Sequence, residues 1–179
     1  MSEQRLRIGI IMGSDSDLKV MKHVGRALTI LGLEGGIDYE ERVISAHRAP
    51  KRMMEYAEIA EKRDLQVIVA GAGGSAHLAG MVASETRLPV LGVAITSSPD
   101  NLNRALGSMI GMPEGKPLAT FQGEAGAFNA GLFSARILML GDTELRQSYA
   151  DYEDQLEVAV VAKDLRLQQL GAENYLANL

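Results

Sequence analysis

Cysteine is absent from the 179 residues. That single absence excludes disulfides, thiolate nucleophiles and zinc–sulfur sites. No apolar run approaches the length that crosses a bilayer. The opening Met1-Ser-Glu-Gln-Arg-Leu-Arg7 has no signal-peptide core, so the expectation is a soluble, cytoplasmic protein without a membrane partner. Basic charge is scarce where nucleic acid would need it. Residues 142–179 hold eight acidic and three basic side chains, which accounts for the whole net charge of −5 and leaves 1–141 neutral. A neutral body with an acidic tail lacks the positive face that neutralises phosphates, so nucleic acid is not expected as a partner. A small anion is still compatible, because one arginine and a few backbone amides suffice to hold it. With three histidines and no cysteine, no metal site is expected. The G-x-x-x-x-G-K-[ST], G-x-S-x-G and H-E-x-x-H patterns are missing as well.

What is present is an alternation of apolar runs and helical periods. Ile8–Met12 reads as a strand, and Leu18–Leu33 as a helix with Val20, Met21, Val24, Ala27, Leu28 and Leu31 on one face. After Gly35-Gly36, Tyr39–Ile44 is a strand with a polar edge, and Pro50 opens a helix to about Arg63. Leu65–Ala70 leads into a Gly-rich loop, Gly71–His77, followed by a short helix to about Glu85. Leu88–Ile95 and Leu118–Phe121 supply two more strands, and Gly126–Leu140 is a helix rich in small residues that permits close subunit packing. Runs this apolar indicate a parallel sheet covered on both faces. The expected architecture is a single three-layer α/β domain, doubly wound in the flavodoxin-like or Rossmann-like manner, over 1–141. Residues 142–179 form an acidic helical extension. Its apolar stripe (Leu145, Tyr149, Tyr152, Leu156, Val160) requires a surface to pack on, either its own body or a neighbouring subunit.

In such a sheet, ligands bind beyond the carboxyl ends of the strands. Three polar loops fall there. Gly13-Ser-Asp-Ser-Asp17 offers hydroxyls and amides at a helix N-terminus, suited to an anion, with Asp17 available to sugar hydroxyls; one Ser or Asp there is also what a plain helix cap needs. Ser45-Ala-His-Arg48 sets an imidazole, the side chain suited to proton transfer near neutrality, beside a guanidinium that clamps phosphate or carboxylate. The competing reading of that pair is a structural histidine and a solvated arginine. Gly71-Ala-Gly-Gly-Ser-Ala76 fits the loose dinucleotide pattern G-x-G-x-x-A. Against a dinucleotide, it follows the third strand, and Val93-Ala-Ile-Thr96 ends the next one without an acid for the ribose. Close backbone approach to a small ligand is the alternative. His77 is either ligand-orienting or a core histidine, and His23 sits mid-helix on the surface.

Taken together, Met12-Gly-Ser-Asp-Ser-Asp17, Val43-Ile-Ser-Ala-His-Arg48 with Pro50, and Val67-Ile-Val-Ala-Gly-Ala-Gly-Gly-Ser-Ala-His-Leu78 resemble the class I 5-(carboxyamino)imidazole ribonucleotide mutases of purine biosynthesis, the PurE family. Leu88-Pro-Val-Leu-Gly-Val93, Met112-Pro113 and Asn129-Ala130 agree too, so the resemblance spans roughly residues 6–140. It implies an isomerase working without metal, nucleotide or biotin, assembled as a homo-octamer. The carboxylate moves from the exocyclic nitrogen of the ribonucleotide to ring carbon 4 by decarboxylation and recarboxylation. By motif, His47 is the general acid/base with Ser45 beside it, and Ser14, Ser16, Asp17 and Arg48 hold the ribose phosphate. Gly71, Ala72, Gly73 and Gly74 cradle the imidazole and its carboxylate, and His77 lines the same pocket. The alternatives are a carboxylase acting on the same ribonucleotide with free carbon dioxide, and a nucleotide-binding module that kept the fold. The chain departs from the family at Ser75 and Ala79, and most strongly in the Ser97–Ala105 loop, where Arg104 replaces an expected Asp beside the site.

Overall fold

All five strand-like segments enter one parallel sheet in the computed structural model, which describes residues 6–96 and 99–179. The strands are β1 (Ile8–Met12), β2 (Tyr39–Val43), β3 (Val67–Gly73), β4 (Val90–Ile95) and β5 (Ala119–Gln122). They stand in the order β2-β1-β3-β4-β5, the flavodoxin-like arrangement, whose switch point lies between β1 and β3. Every residue of β1 is buried, which is why its sequence is continuously apolar instead of alternating. Ile8, Ile10 and Met12 face a core shared with α1 (Leu18–Ile30), α5 (Gly123–Leu138) and the first turns of α6 (Thr143–Leu176). Ile11 faces the second core, made with α2 (Pro50–Ile59), α3 (Leu78–Glu85) and α4 (Pro99–Ile110).

The helix ends follow local chemistry. α1 stops at Ile30, short of Leu33, because Gly32 turns left-handed (φ 86°) and closes the chain back on Thr29. Pro50 takes the first turn of α2, where its missing N–H costs nothing. Asp142 begins α6: its Oδ1 accepts the Leu145 N–H at 3.0 Å, and its Oδ2 pairs with buried Arg7 at 2.6 Å. That pair ties the start of the tail to the start of β1.

The structure sharpens three readings of the sequence. Ser97–Ala105, read as a loop, lies mostly in α4, because Ala105, Leu106 and Met109 recur at helical spacing and pack on the second core; Ser97 and Ser98 lie outside the described residues. The small-residue face of α5, whose packing partner the sequence leaves open, packs on α1 of the same chain. Ala127, Ala130, Gly131, Ser134 and Ala135 are buried, and Gly131 sits directly against the α1 backbone at Val24. The tail helix runs on to Leu176 past a break at Gly171 (φ 70°), and only Leu145 and Tyr149 are buried on the body, with Tyr152 partly so.

On the second-core side, β2 carries a buried carboxylate. Glu40 is 8% exposed and accepts hydrogen bonds from Tyr56 at 3.0 Å, Arg42 at 3.0 Å and Arg63 at 2.8 Å. Burial pushes its carboxyl up, but the bonds from Arg63, Arg42 and Tyr56 together outweigh burial and hold it below its ordinary value. A carboxyl held low in the fold adds stability that is complete above its unfolded value and is lost as pH falls through the lower folded value. Glu40→Gln is therefore expected to lower the urea midpoint at pH 7 and to narrow its gap to wild type as pH is taken from 5 to 3. A gap that stays constant across that range would contradict the assignment.

Candidate active site

The carboxyl ends of β1, β2 and β3 meet around one cavity of about 380 Å³. Ser14, Asp17, Ser45, His47, Arg48, Ala72, Gly73 and His77 all line it. The order β2-β1-β3 explains why: loops far apart in sequence leave adjacent strands at the same edge.

After β1, Gly13 donates its N–H to the Gly71 carbonyl at 3.1 Å, and Asp15–Asp17 make a single 3₁₀ turn leading into α1. The turn uses much of its own polarity. Asp17 Oδ2 accepts the Ser14 N–H at 3.0 Å, Asp15 Oδ1 accepts the Ser16 N–H at 2.9 Å, and the hydroxyls of Ser16 and Ser14 are 3.0 Å apart. Burial pushes the Asp17 carboxyl up, against the Ser14 N–H and the nearby Arg48 charge, which pull it down.

After β2, Ile44 donates to the Met12 carbonyl at 2.8 Å, and the chain turns through Ser45–Arg48. Ser45 Oγ accepts both the Arg48 N–H, at 3.2 Å, and Arg48 Nε, at 3.3 Å. Arg48 Nη2 then reaches across to the Gly13 carbonyl at 2.9 Å. The guanidinium is thus fixed in place on the cavity wall and joins two of the three loops. Its positive charge is backed by the N-terminus of α2, whose dipole has the same sign.

After β3 the geometry differs from the sequence reading. Gly71, Ala72 and Gly73 belong to the strand and pair with Val93, Ala94 and Ile95 of β4, so the loop begins only at Gly74 (φ 62°). Gly71 is buried over Met21, which a Cβ would strike, and Gly73 lies where a Cβ would stand 2.9 Å from the Ile95 carbonyl oxygen. Strand pairing and close packing thus account for both glycines. Ser16, Gly71 and Gly74 do not line the cavity, whereas Gly13, Ala46, Ser75 and Leu78 do. These four lie inside the same motifs, and only the three-dimensional turn distinguishes them. Arg104 is exposed on α4 and does not line the cavity either, because Ala105 and Met109 turn the other face of that helix to the sheet. His23 lies beside Glu124, its Nε2 3.6 Å from the carboxylate.

His77 precedes the first residue of α3. Its Nδ1 is 3.0 Å from His47 Nε2, with the two ring planes at 86°. Two imidazoles, an anchored guanidinium, hydroxyls and three helix N-termini converge on one cavity, a set of groups chemically suited to an anionic ligand and to proton transfer.

Comparison with known proteins agrees. The AIR carboxylase family model matches residues 7–159. N5-carboxyaminoimidazole ribonucleotide mutase of Thermotoga maritima is 48% identical over 170 residues, covering 95% of this chain and 96% of that protein. The mutase of Pyrococcus horikoshii is 45% identical over 177 residues, covering 99% and 97%. The crystal structure of Treponema denticola PurE superposes with a TM-score of 0.80 at 26% identity, covering 91% of this chain and 99% of that one. A family-model match over most of the chain, relatives at 45–48% identity over nearly their full length, and the same fold make this protein a member of the AIR carboxylase, or PurE, family.

Proposed function

We propose that the protein is an N5-carboxyaminoimidazole ribonucleotide mutase, an isomerase of purine biosynthesis. The observation that carries the reading is His47, an imidazole beside Arg48 in a cavity also lined by Ser14, Asp17, Ser45, Gly73 and His77. A pocket built only to bind the ribonucleotide has no use for an imidazole there. Its volume falls within the range of about 300–1,000 Å³ typical of small-molecule sites.

The chemistry follows from one proton and one trapped carbon dioxide. His47 gives a proton to the exocyclic nitrogen of the substrate as the nitrogen–carboxylate bond breaks. The bond's electrons stay on nitrogen, and carbon dioxide leaves. Carbon 4 of the electron-rich aminoimidazole then attacks the carbon dioxide, forming the new carbon–carbon bond. His47 takes the ring proton back, which restores the aromatic ring and the starting enzyme. The substrate ring supplies the electrons throughout. Ser14 and Arg48 hold the phosphate, with Ser16 bracing Ser14 through its hydroxyl, and Asp17 meets the ribose. Ser45 keeps Arg48 in place. Ala72 and Gly73 give the flat ring room to lie against backbone, with Gly71 and Gly74 setting the course of that strand end.

The same reading makes 1–141 the catalytic unit in a cytoplasmic enzyme, and 142–179 an extension that joins subunits of a homo-octamer. The tail supports this, since Leu156, Val160 and Leu165 of α6 are about half exposed or more on the single chain. Light scattering of the purified protein should give about eight times the 19.2 kDa chain mass; a monomer or dimer mass would end the octamer assignment.

The test of function is to add 4-carboxy-5-aminoimidazole ribonucleotide and follow its ultraviolet absorbance. Conversion supports the mutase, and a forward reaction unaffected by removal of bicarbonate separates it from a carboxylase using free carbon dioxide. No conversion would refute the reading. Arg48→Ala should raise the KM for the ribonucleotide about 10–100-fold, the worth of a charge-assisted contact. An unchanged KM would remove Arg48 from the phosphate site.

A further inference from the structure

We propose that Asp15 is a built-in competitor of the ligand's phosphate: its carboxylate takes up the hydrogen-bond donors of the Ser14–Ser16 turn, a phosphate binds by displacing it, and Asp15 thereby sets how tightly the ribonucleotide is held. The proposal rests on the mutase reading for the place of the phosphate, and on the geometry of the turn for the competition.

The donors can be followed one by one. Ser14 Oγ donates its proton to Asp15 Oδ1 at 3.1 Å. Ser16 Oγ donates to Ser14 Oγ at 3.0 Å, and the Ser16 N–H donates to the same Asp15 Oδ1 at 2.9 Å. A hydroxyl has one proton to give. A phosphate ester dianion has none and can only accept. Ser14, which lines the cavity, therefore cannot serve Asp15 and a phosphate at once. The three donors end, directly or through Ser14, on a single carboxylate oxygen, which stands where an oxygen of the ligand would draw on them.

Asp15 is free to leave. It is exposed, and among the described residues its only hydrogen bonds are these two, both at Oδ1. The turn keeps other ties without it: Asp17 Oδ2 holds the Ser14 N–H, and Arg48 Nη2 holds the Gly13 carbonyl. The charge of Asp15 is also felt at the cavity wall. Burial is the main push raising the Asp17 carboxyl, and the Asp15 carboxylate adds to it. A phosphate arriving beside Ser14 meets the same repulsion until Asp15 turns out into water. The measured affinity is then the intrinsic one reduced to the fraction of molecules whose donors are free.

The experiment measures binding to the full-length protein at fixed ionic strength. By calorimetry, Asp15→Ala should bind 4-carboxy-5-aminoimidazole ribonucleotide about 5–10-fold more tightly than wild type, the worth of one exposed charge-assisted bond that no longer has to break. Asp15→Asn keeps an acceptor without the charge and should gain about two- to threefold. The corresponding riboside has no phosphate, so its affinities for Asp15→Ala and wild type should agree within about twofold. Unchanged or weaker ribonucleotide binding by Asp15→Ala would overturn the proposal and make Asp15 a brace of the turn. An equal gain for the riboside would overturn it as well, since the effect would not depend on the phosphate. Inorganic phosphate, titrated by ³¹P NMR, separates this proposal from the reading beneath it. If the wild type turns over no ribonucleotide, the mutase reading fails, yet Asp15→Ala should still tighten inorganic phosphate by a similar factor; no such gain would overturn the role of Asp15.

Discussion

His47→Asn is expected to abolish turnover while leaving the ribonucleotide bound. In the proposed mechanism one imidazole serves both proton transfers, and each is worth about 10²–10⁴-fold, so kcat should fall by at least about 10³-fold. The phosphate contacts assigned to Ser14 and Arg48 are untouched, because Arg48 is held by Ser45 and by the Gly13 carbonyl. Calorimetric affinity for the carboxylated product should therefore stay within a few-fold of wild type. Substantial residual turnover would place the acid/base elsewhere. A parallel loss of binding and turnover would mean that His47 holds the substrate instead of acting on it. The asparagine retains polarity at the cavity wall, so a folding defect is not the expected cause of any loss.

The largest expected loss of stability from a single methyl group is Gly131→Ala. A Cβ at Gly131 would lie 2.6 Å from the Val24 carbonyl oxygen and 2.8 Å from Ala27 Cβ. Both are fixed parts of α1, and neither is the far end of a flexible chain, so α1 and α5 must separate and loosen the core beneath them. Overpacking of this kind costs about 3 kcal/mol, against about 1 kcal/mol gained by putting alanine for glycine in a helix. The net is a loss of about 2 kcal/mol, read as a lower urea midpoint. Gly107→Ala is the control: Gly107 lies within α4 with nothing within 4 Å of the added methyl, so only the propensity gain of about 1 kcal/mol remains. Equal midpoints for the two variants would show that the α1–α5 contact can relax.

The layers of the fold were legible because burial on both faces writes itself into β1, β3 and β4 as unbroken apolar runs. The site was legible because three polar loops each followed such a run, and the parallel topology can only bring them to one edge. What escaped the sequence was distance. Gly71 and Gly73 look like loop glycines, yet strand pairing with β4 and the closeness of Met21 and the Ile95 carbonyl explain them. α4 escaped because Pro99 and its polar neighbours read as a turn, and its three apolar contacts, Ala105, Leu106 and Met109, are few. The small residues of α5 announced close packing without saying on what, and the partner is the chain's own α1. The bond between His47 and His77 joins residues 30 positions apart, and no spacing rule connects them.

The tail has a consequence for how this protein behaves in the test tube. From Thr143 to Leu170 the helix is unbroken, about 42 Å at 1.5 Å per residue, and beyond its first turns Val158, Val161 and Leu167 are open to water, as are its other apolar side chains. These positions do not share one stripe; they fall on two opposite faces of the helix, so a single flat surface could not cover them all. If the tail joins subunits as proposed, folding and association draw on the same apolar area, and the melting temperature should climb with protein concentration as mass action requires. Dilution alone, with no change of solvent, would act as a denaturant.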